Sequence, residues 1–170
     1  MSVKWNLDKG HSEVQFKVKH MVISTVTGEF LDFDASAESD DENFSNARFQ
    51  FKAKVDSIAT KNADRDGHLK SDDFFNASEF PELTFKGNEF NGEKLKGEIT
   101  IKGVTKPLEL DTDFGGVIKD PYGNRRAGFE FTGELNRKDF GLNWSAATEA
   151  GGLVVADKVK LSVNLEFIKQ

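Results

Sequence analysis

Residues 47–55 read ARFQFKAKV, and every second side chain in this stretch is apolar. The apolar set is Ala, Phe, Phe, Ala and Val, and the residues between them are Arg, Gln, Lys and Lys. Successive side chains of a β-strand point to opposite faces, so this period of two predicts a strand with one dry face and one wet face. Antiparallel sheets that are packed on one side only show this pattern.

The same alternation recurs along most of the chain, and many of the sixteen phenylalanines fall on its apolar side. The predicted strands are residues 11–20, 26–37, 47–55, 83–86, 95–102, 104–114, 126–136 and 158–167. Turn signals such as Asn91-Gly92 and Gly151-Gly152 lie between them. Because closure removes the sheet edges that invite aggregation, about eight antiparallel strands predict an all-β, closed β-barrel.

One stretch, residues 61–75 (KNADRDGHLKSDDFF), lacks alternation and predicts a short helical insertion. It also places Asn62, Asp64, Asp66 and Asp73 at the spacing of an EF-hand calcium loop. A predicted strand precedes this stretch where an EF-hand has a helix, and Lys70 occupies a ligand position. The favoured interpretation is therefore a solvated helix with Asn and Asp near its start.

Length and composition exclude several classes of protein. The 170 residues contain no repeat and no linker, which predicts a single domain over residues 1–170. A net charge of −6 argues against nucleic acid and anionic membrane surfaces as partners. No apolar run approaches the ~20 residues of a membrane-spanning helix. There is no cysteine, so disulfides, thiolate nucleophiles and zinc–thiolate sites are excluded.

The amino terminus leads directly into Trp5 and Leu7 without an apolar leader. This predicts a cytoplasmic location, or a periplasmic one if a signal peptide has been removed.

The phenylalanine-rich face is predicted to point inward. The opposite face carries many charged residues, Lys17, Lys52 and Lys158 among them, and no aromatic girdle marks the strand ends as in a membrane barrel. An eight-stranded barrel can fill its interior with side chains or hold one small ligand, and the alternation leaves both states open.

Catalytic signals are weak. His11 and Ser12 are neighbours in the strand pattern and point to opposite faces, and no GxSxG motif is present. His20 continues the inward register of Phe16 and Val18, so it is expected at the barrel mouth, as a strand end or as a donor to a ligand head group. The three histidines show no metal-ligand spacing, and no catalytic residue, metal or cofactor is predicted.

Five segments resemble the YceI-like family, in order and over almost the whole chain: WNLDKGHSEVQFKVKHMVISTVTGEF, RDGHLKSDDFFNASEFPELTF, ITIKGVTKPLEL, GFEFTGELNRKDFGLNW and VADKVKLSVNLEF. The resemblance implies a lipocalin-like antiparallel barrel, usually a homodimer. It also implies a central tunnel that takes a long-chain amphiphile such as a polyisoprenoid, a prenyl quinone or a fatty amide.

The functional hypothesis is noncatalytic binding, storage or transport of such a molecule. One alternative is a lipid hydrolase or isomerase that uses the same cavity with His20 as the acid–base group. Another is a filled barrel that acts only through its surface. Head-group contact is assigned to His20 and Arg137. The predicted cavity lining consists of Phe16, Val18, His20, Phe49, Phe51, Phe85, Ile99, Ile101, Phe129, Phe131, Leu161 and Val163.

Overall fold

The computed structural model of the chain describes residues 2–21, 23–144 and 155–170. These residues form eleven strands and one α-helix, joined by turns and three short 3-10 helices. The strands are β1 (Val3–Leu7), β2 (Glu13–His20), β3 (Ser24–Phe30), β4 (Phe33–Ser39), β5 (Arg48–Lys54), β6 (Ile58–Ala59), β7 (Glu82–Phe90), β8 (Lys94–Ile101), β9 (Val104–Lys119), β10 (Arg125–Asn136) and β11 (Val155–Lys169), and the helix is α1 (Ala63–Lys70).

Eight of the strands close into a ring, in the order β1, β4, β5, β7, β8, β9, β10 and β11, with β11 paired to β1. Every strand pair is antiparallel. The predicted closed antiparallel barrel with one short helix is therefore confirmed.

Three of the eleven strands, β2, β3 and β6, lie outside this ring and continue the sheet from β11. The predicted strand 26–37 is in fact two strands, because the chain bends at Leu31 and Asp32. Its first part, β3, pairs with β2, and its second part, β4, pairs with β1 and β5. Strand β1 was not predicted as a separate element, although Trp5 at its centre is almost completely buried. The predicted turn at Gly151-Gly152 lies outside the described residues.

The phenylalanine face points inward, as predicted, and its rings lie beside small residues on neighbouring strands. Phe49 is flanked by Ala37 on β4 and Gly87 on β7. Small neighbours leave room for the large rings, so the wall packs closely. At Gly97 a Cβ atom would lie 2.0 Å from the Lys86 carbonyl oxygen, so only glycine fits there.

One end of the barrel, called the packed end, is filled by the aromatic rings of Trp5, Phe44, Phe90, Phe114 and Phe129. Phe44 lies at the centre of this cluster, with its ring centroid 4.6 Å from Trp5, 4.8 Å from Phe129 and 5.3 Å from Phe114. It comes from the loop between β4 and β5 and has a left-handed φ of 62°. Aromatic pairs add about 0.5–1.5 kcal/mol beyond area burial, which offsets the cost of that backbone conformation.

The other end is closed by residues 60–81, called the cover, which contain α1. Asn62 caps the helix, since its Oδ1 accepts a hydrogen bond from Arg65 N at 3.0 Å. Asp66 accepts from Thr60 N at 2.9 Å, and His68 Nε2 lies 2.8 Å from Asp73 Oδ2. The interpretation as a helix with Asn and Asp at its start is confirmed, and three residues at the EF-hand spacing have other partners.

Candidate binding cavity

A cavity of about 170 Å³ lies inside the barrel, between the wall and the cover. Strands β2, β3, β4, β5, β7, β8, β9, β10 and β11 contribute to its lining. The cover contributes Leu69, Phe74 and Phe75. The interior is thus neither a filled core throughout nor an open channel, because the packed end is full and the cover end is hollow.

Ten of the twelve residues predicted to line the cavity do line it, because the strand alternation set their direction correctly. Whether they contact a ligand stays a prediction. These residues are Phe16, Val18, Phe49, Phe51, Phe85, Ile99, Ile101, Phe131, Leu161 and Val163.

The structure corrects the other two. Phe129 points inward but lies at the packed end, with its ring stacked on Phe114 at 4.7 Å, so it is core. His20 is the last residue of β2 and pairs with Val155 and Ser24, one position beyond the cavity wall. The alternation along a strand predicts which face a side chain is on, but not how far along the barrel axis it lies. Both wrong predictions concern this position along the axis.

Several lining residues were missed. Leu69, Phe74 and Phe75 belong to the cover, where no strand period could indicate a direction. Val155 and Leu142 flank residues 145–154 and also reach the wall. Val159 lies two residues before Leu161 on β11, so the alternation itself could have identified it.

The wall is almost entirely apolar. In the part of the chain that the structure describes, the lining includes no Ser, Thr, Tyr, His, Lys, Asp or Glu side chain, and its polar members are Gln15, Gln50 and Arg137. The two glutamines have the outward parity of their strands. An enzyme needs a nucleophile or a general acid–base group within reach of the reacting atom, and the described residues of this wall include none.

Arg137 is the one charged residue at the wall among those described, and it is only 3% exposed. Its Nη1 donates to the carbonyl oxygens of Leu142 at 2.6 Å and Trp144 at 2.7 Å. Its Nε donates to Ala156 O at 2.9 Å, and Nη2 donates to Val155 O at 3.2 Å. The side chain therefore joins the two segments on either side of residues 145–154.

Burial lowers the pKa of Arg137, and the carboxylate of Asp157, 3.8 Å away, acts in the opposite direction. The predicted head-group contact through Arg137 has little support in this geometry, because four of its five N–H groups already have protein acceptors.

A second cluster of charged groups lies outside the cavity. Asp8, His11 and Glu166 bring potential metal ligands within 4.8 Å of one another. Arg126 Nη1 lies 2.7 Å from Asp8 Oδ2 and 3.0 Å from Glu166 Oε2, so a cation already neutralises the carboxylates. Hydrogen bonds from His11 and Arg126 lower the pKa of Asp8, and Asp8 in turn raises the pKa of His11. The cluster is best explained as an ion-pair network that ties β10 and β11 to the chain after β1.

No helix in the described ranges is long and apolar enough to span a membrane.

Comparison with known proteins supports this description of the fold. Residues 5–167 match the model of the YceI-like domain. UPF0312 proteins of Staphylococcus epidermidis and Staphylococcus aureus are 38% identical to the chain over 165 and 164 residues, which is 96% of each protein.

Among solved structures, the Campylobacter jejuni YceI protein is 35% identical, with a TM-score of 0.75 and 96% of each chain covered. Burkholderia cenocepacia BcnA has a TM-score of 0.77 at 21% identity, covering 94% of this chain and 98% of BcnA. A polyisoprenoid binding domain from Saccharophagus degradans has a TM-score of 0.66 at 15% identity, with 98% of each chain covered. At these identities, the last two show a shared fold.

Proposed function

Because the chain belongs to the YceI-like domain family, we propose that its barrel binds a long-chain apolar or amphiphilic molecule, without catalysis, for storage or transport. Polyisoprenoids, prenyl quinones and fatty amides are the proposed ligand classes. The observation that carries the proposal is the cavity wall, which is almost entirely apolar and offers no acid–base group among its described residues. The polyisoprenoid binding domain of similar fold adds support.

Burial of an apolar chain supplies enough free energy for binding. At about 25 cal/mol per Å², removing about 330 Å² of ligand surface from water gains about 8 kcal/mol, which corresponds to a micromolar dissociation constant before the entropic cost of association. Phenylalanine rings provide this contact area with few rotatable bonds to immobilise.

The size of the cavity constrains how a long ligand enters. An apolar cavity of about 150 Å³ holds one benzene molecule, so the 170 Å³ here fits only a short segment of a chain. A longer ligand has to displace side chains or the cover. Phe16, Phe51 and Phe75 are half-buried lining residues, so their rings are the first candidates to move.

Native mass spectrometry of protein purified without detergent tests the proposal. We expect a mass above that of the bare chain, or uptake of added geranylgeraniol or of a prenyl quinone. A bare-chain mass together with failure to take up prenyl alcohols, prenyl quinones and fatty amides would contradict the proposal.

A pair of neighbouring substitutions on β4 tests the site. Ala35 lines the cavity, and Ser36 lies next to it on the outer face. Ala35→Leu adds a side chain that a ligand must move aside at about 1–3 kcal/mol, so we expect geranylgeraniol affinity to fall about 5-fold to 150-fold. Ser36→Leu is the matched control and should leave affinity unchanged. Equal effects of the two variants would place the ligand elsewhere.

The enzymatic alternative depends on His20. Because His20 is not among the residues that line the cavity, we expect His20→Ala to keep full ligand uptake, and the ligand to be recovered with unchanged mass. Recovery of a chemically altered lipid from the wild type, but not from His20→Ala, would favour the enzyme.

We also propose a homodimer in solution, as the family resemblance implies, and a cytoplasmic location. Light scattering coupled to gel filtration tests the first, and fractionation of cells tests the second.

A further inference from the structure

The turn between β2 and β3 exposes two large apolar side chains. Ile23 is 84% exposed and Met21 is 43% exposed, and these two residues are called the apolar tip. Ile23 N donates to His20 O at 3.3 Å, and Met21 has a left-handed φ of 52°. Single exposed apolar residues are common in proteins, so the tip by itself does not indicate a function.

Four exposed lysines lie together on the outer wall next to the tip. Lys17 and Lys19 lie on β2, and Lys158 and Lys160 lie on β11. They alternate with Phe16, Val18, Val159 and Leu161, which line the cavity, so the lysines point to the outside. We call these four residues the lysine face.

The lysine face has one acidic sheet partner among the described residues, since Glu134 on β10 lies opposite Lys160. Lys17 and Lys160 are direct partners in the sheet, and like charges in that position destabilise a strand pair. None of the four lysines forms an ion pair within 4.0 Å with another described residue. In a chain of net charge −6, this concentration of positive charge means that the whole-chain charge does not describe this face.

The tip and the lysine face lie at the cover end of the cavity. Val18 lines the cavity two residues before the end of β2, and His20 pairs with Val155, which also lines it. The tip begins at the next residue. A membrane that held the tip would therefore face the cover end of the barrel.

We propose that the apolar tip and the lysine face dock the protein on an anionic lipid bilayer. Lysines near an anionic membrane surface each contribute to binding, and apolar side chains at the same place insert at the headgroup boundary. A second copy of this chain fits less well, because joining two lysine faces would bring eight positive charges together. Exchange of cargo with that bilayer rests on the proposed function, whereas docking itself does not.

Sedimentation with phospholipid vesicles tests the docking. We expect cargo-free wild-type protein to bind vesicles of phosphatidylcholine with phosphatidylglycerol more tightly than vesicles of phosphatidylcholine alone. Binding should weaken between 0.1 M and 1 M salt, as the Debye length falls from about 10 Å to about 3 Å.

Two variants and a control locate the surface. Lys17→Gln with Lys160→Gln should weaken binding about 30-fold, at the usual contribution of a lysine near anionic lipid. Ile23→Ser should weaken it about tenfold or more. The control, Lys52→Gln with Lys86→Gln, removes the same charge from exposed positions on β5 and β7 and should have little effect.

The results separate docking from cargo binding. The docking proposal would be overturned if the two lysine pairs lost vesicle binding equally, or if wild-type binding did not depend on phosphatidylglycerol. It would also be overturned if Ile23→Ser dissociated a dimer. Geranylgeraniol uptake in vesicle-free solution is measured in parallel and should be the same in all variants. Docking without uptake would refute the proposed function alone, and uptake without docking would refute this inference alone.

Discussion

Replacing Arg137 by leucine should destabilise the protein more than almost any other single polar substitution. The guanidinium is 3% exposed and donates to the carbonyl oxygens of Leu142, Trp144, Val155 and Ala156. Without it, these carbonyls lose their donors, and each buried unsatisfied group costs about 1–3 kcal/mol.

The total loss should be smaller than the sum of four such costs, because the chain can relax and water can enter. Removing one partner from a buried charged network typically costs about 3–5 kcal/mol, and we expect a loss in that range for Arg137→Leu. This is a large part of the 5–15 kcal/mol that is usual for a domain. Arg137→Lys should lose less stability than Arg137→Leu, but the loss should still be measurable, because one ammonium group cannot reach carbonyls on both segments.

Urea unfolding followed by circular dichroism measures the global change. The neighbouring Lys138→Leu is the control, since Lys138 is exposed and only 3.4 Å from Asp157 in an ion pair that should contribute about 0–1 kcal/mol. Tryptophan fluorescence adds a local readout, because Trp144 lies at Arg137 whereas Trp5 lies at the packed end.

Ligand affinity distinguishes a structural Arg137 from a head-group contact. If Arg137 positions Leu142 and Val155 at the wall, the variant should weaken geranylgeraniol and geranylgeranyl diphosphate alike. A loss of less than about 1 kcal/mol in stability, with a selective loss for the diphosphate, would refute the reasoning and assign Arg137 to the head group.

Two other predictions concern packing and pH. In Gly28→Ala, the new Cβ would lie 2.2 Å from the Phe16 ring, so the ring must move into the cavity. We expect weaker geranylgeraniol binding and a stability loss of about 1–3 kcal/mol by urea unfolding, whereas Gly67→Ala, with open space at its Cβ, should not destabilise. Arg126 lowers the pKa of Asp120 from 3.8 to about 2, so the stability from this contact is present above pH 3.8 and is lost as the pH falls to about 2. Asp120→Asn should therefore be less stable than the wild type at neutral pH and equal to it below pH 2, as measured by thermal unfolding across that range; a constant difference at all pH values would contradict the assignment.

Alternation predicted the faces of the strands but not where one strand became two. Residues 26–37 look continuous in sequence, yet the chain bends at Leu31 and Asp32 so that β3 and β4 can pair with different partners. The bend satisfies closure of the barrel, which depends on all eight strands at once. No local pattern reports such a constraint.

The binding site was predictable to the same extent. The direction of Phe51 and Val163 toward the cavity follows from parity alone, since a side chain has only two faces to choose from. Whether an inward ring becomes wall or core depends on its height, as the contrast between Phe131 at the wall and Phe129 in the packed end shows. The lining residues of the cover could not be predicted for a different reason. Phe74 and Phe75 follow a short helix, so no strand period indicates the direction of their side chains.

By itself, the sequence determined the class of this protein: an all-β barrel with a phenylalanine-rich interior, a charged exterior and no catalytic motif. These properties depend on residue type and on a period of two, which are local. The tertiary structure alone decided that the interior is full at one end and hollow at the other, that Arg137 joins two segments of the chain, and that four lysines and Ile23 share one end of the barrel. Each of these depends on the distances between residues far apart in the chain, and those distances are set only when the barrel closes.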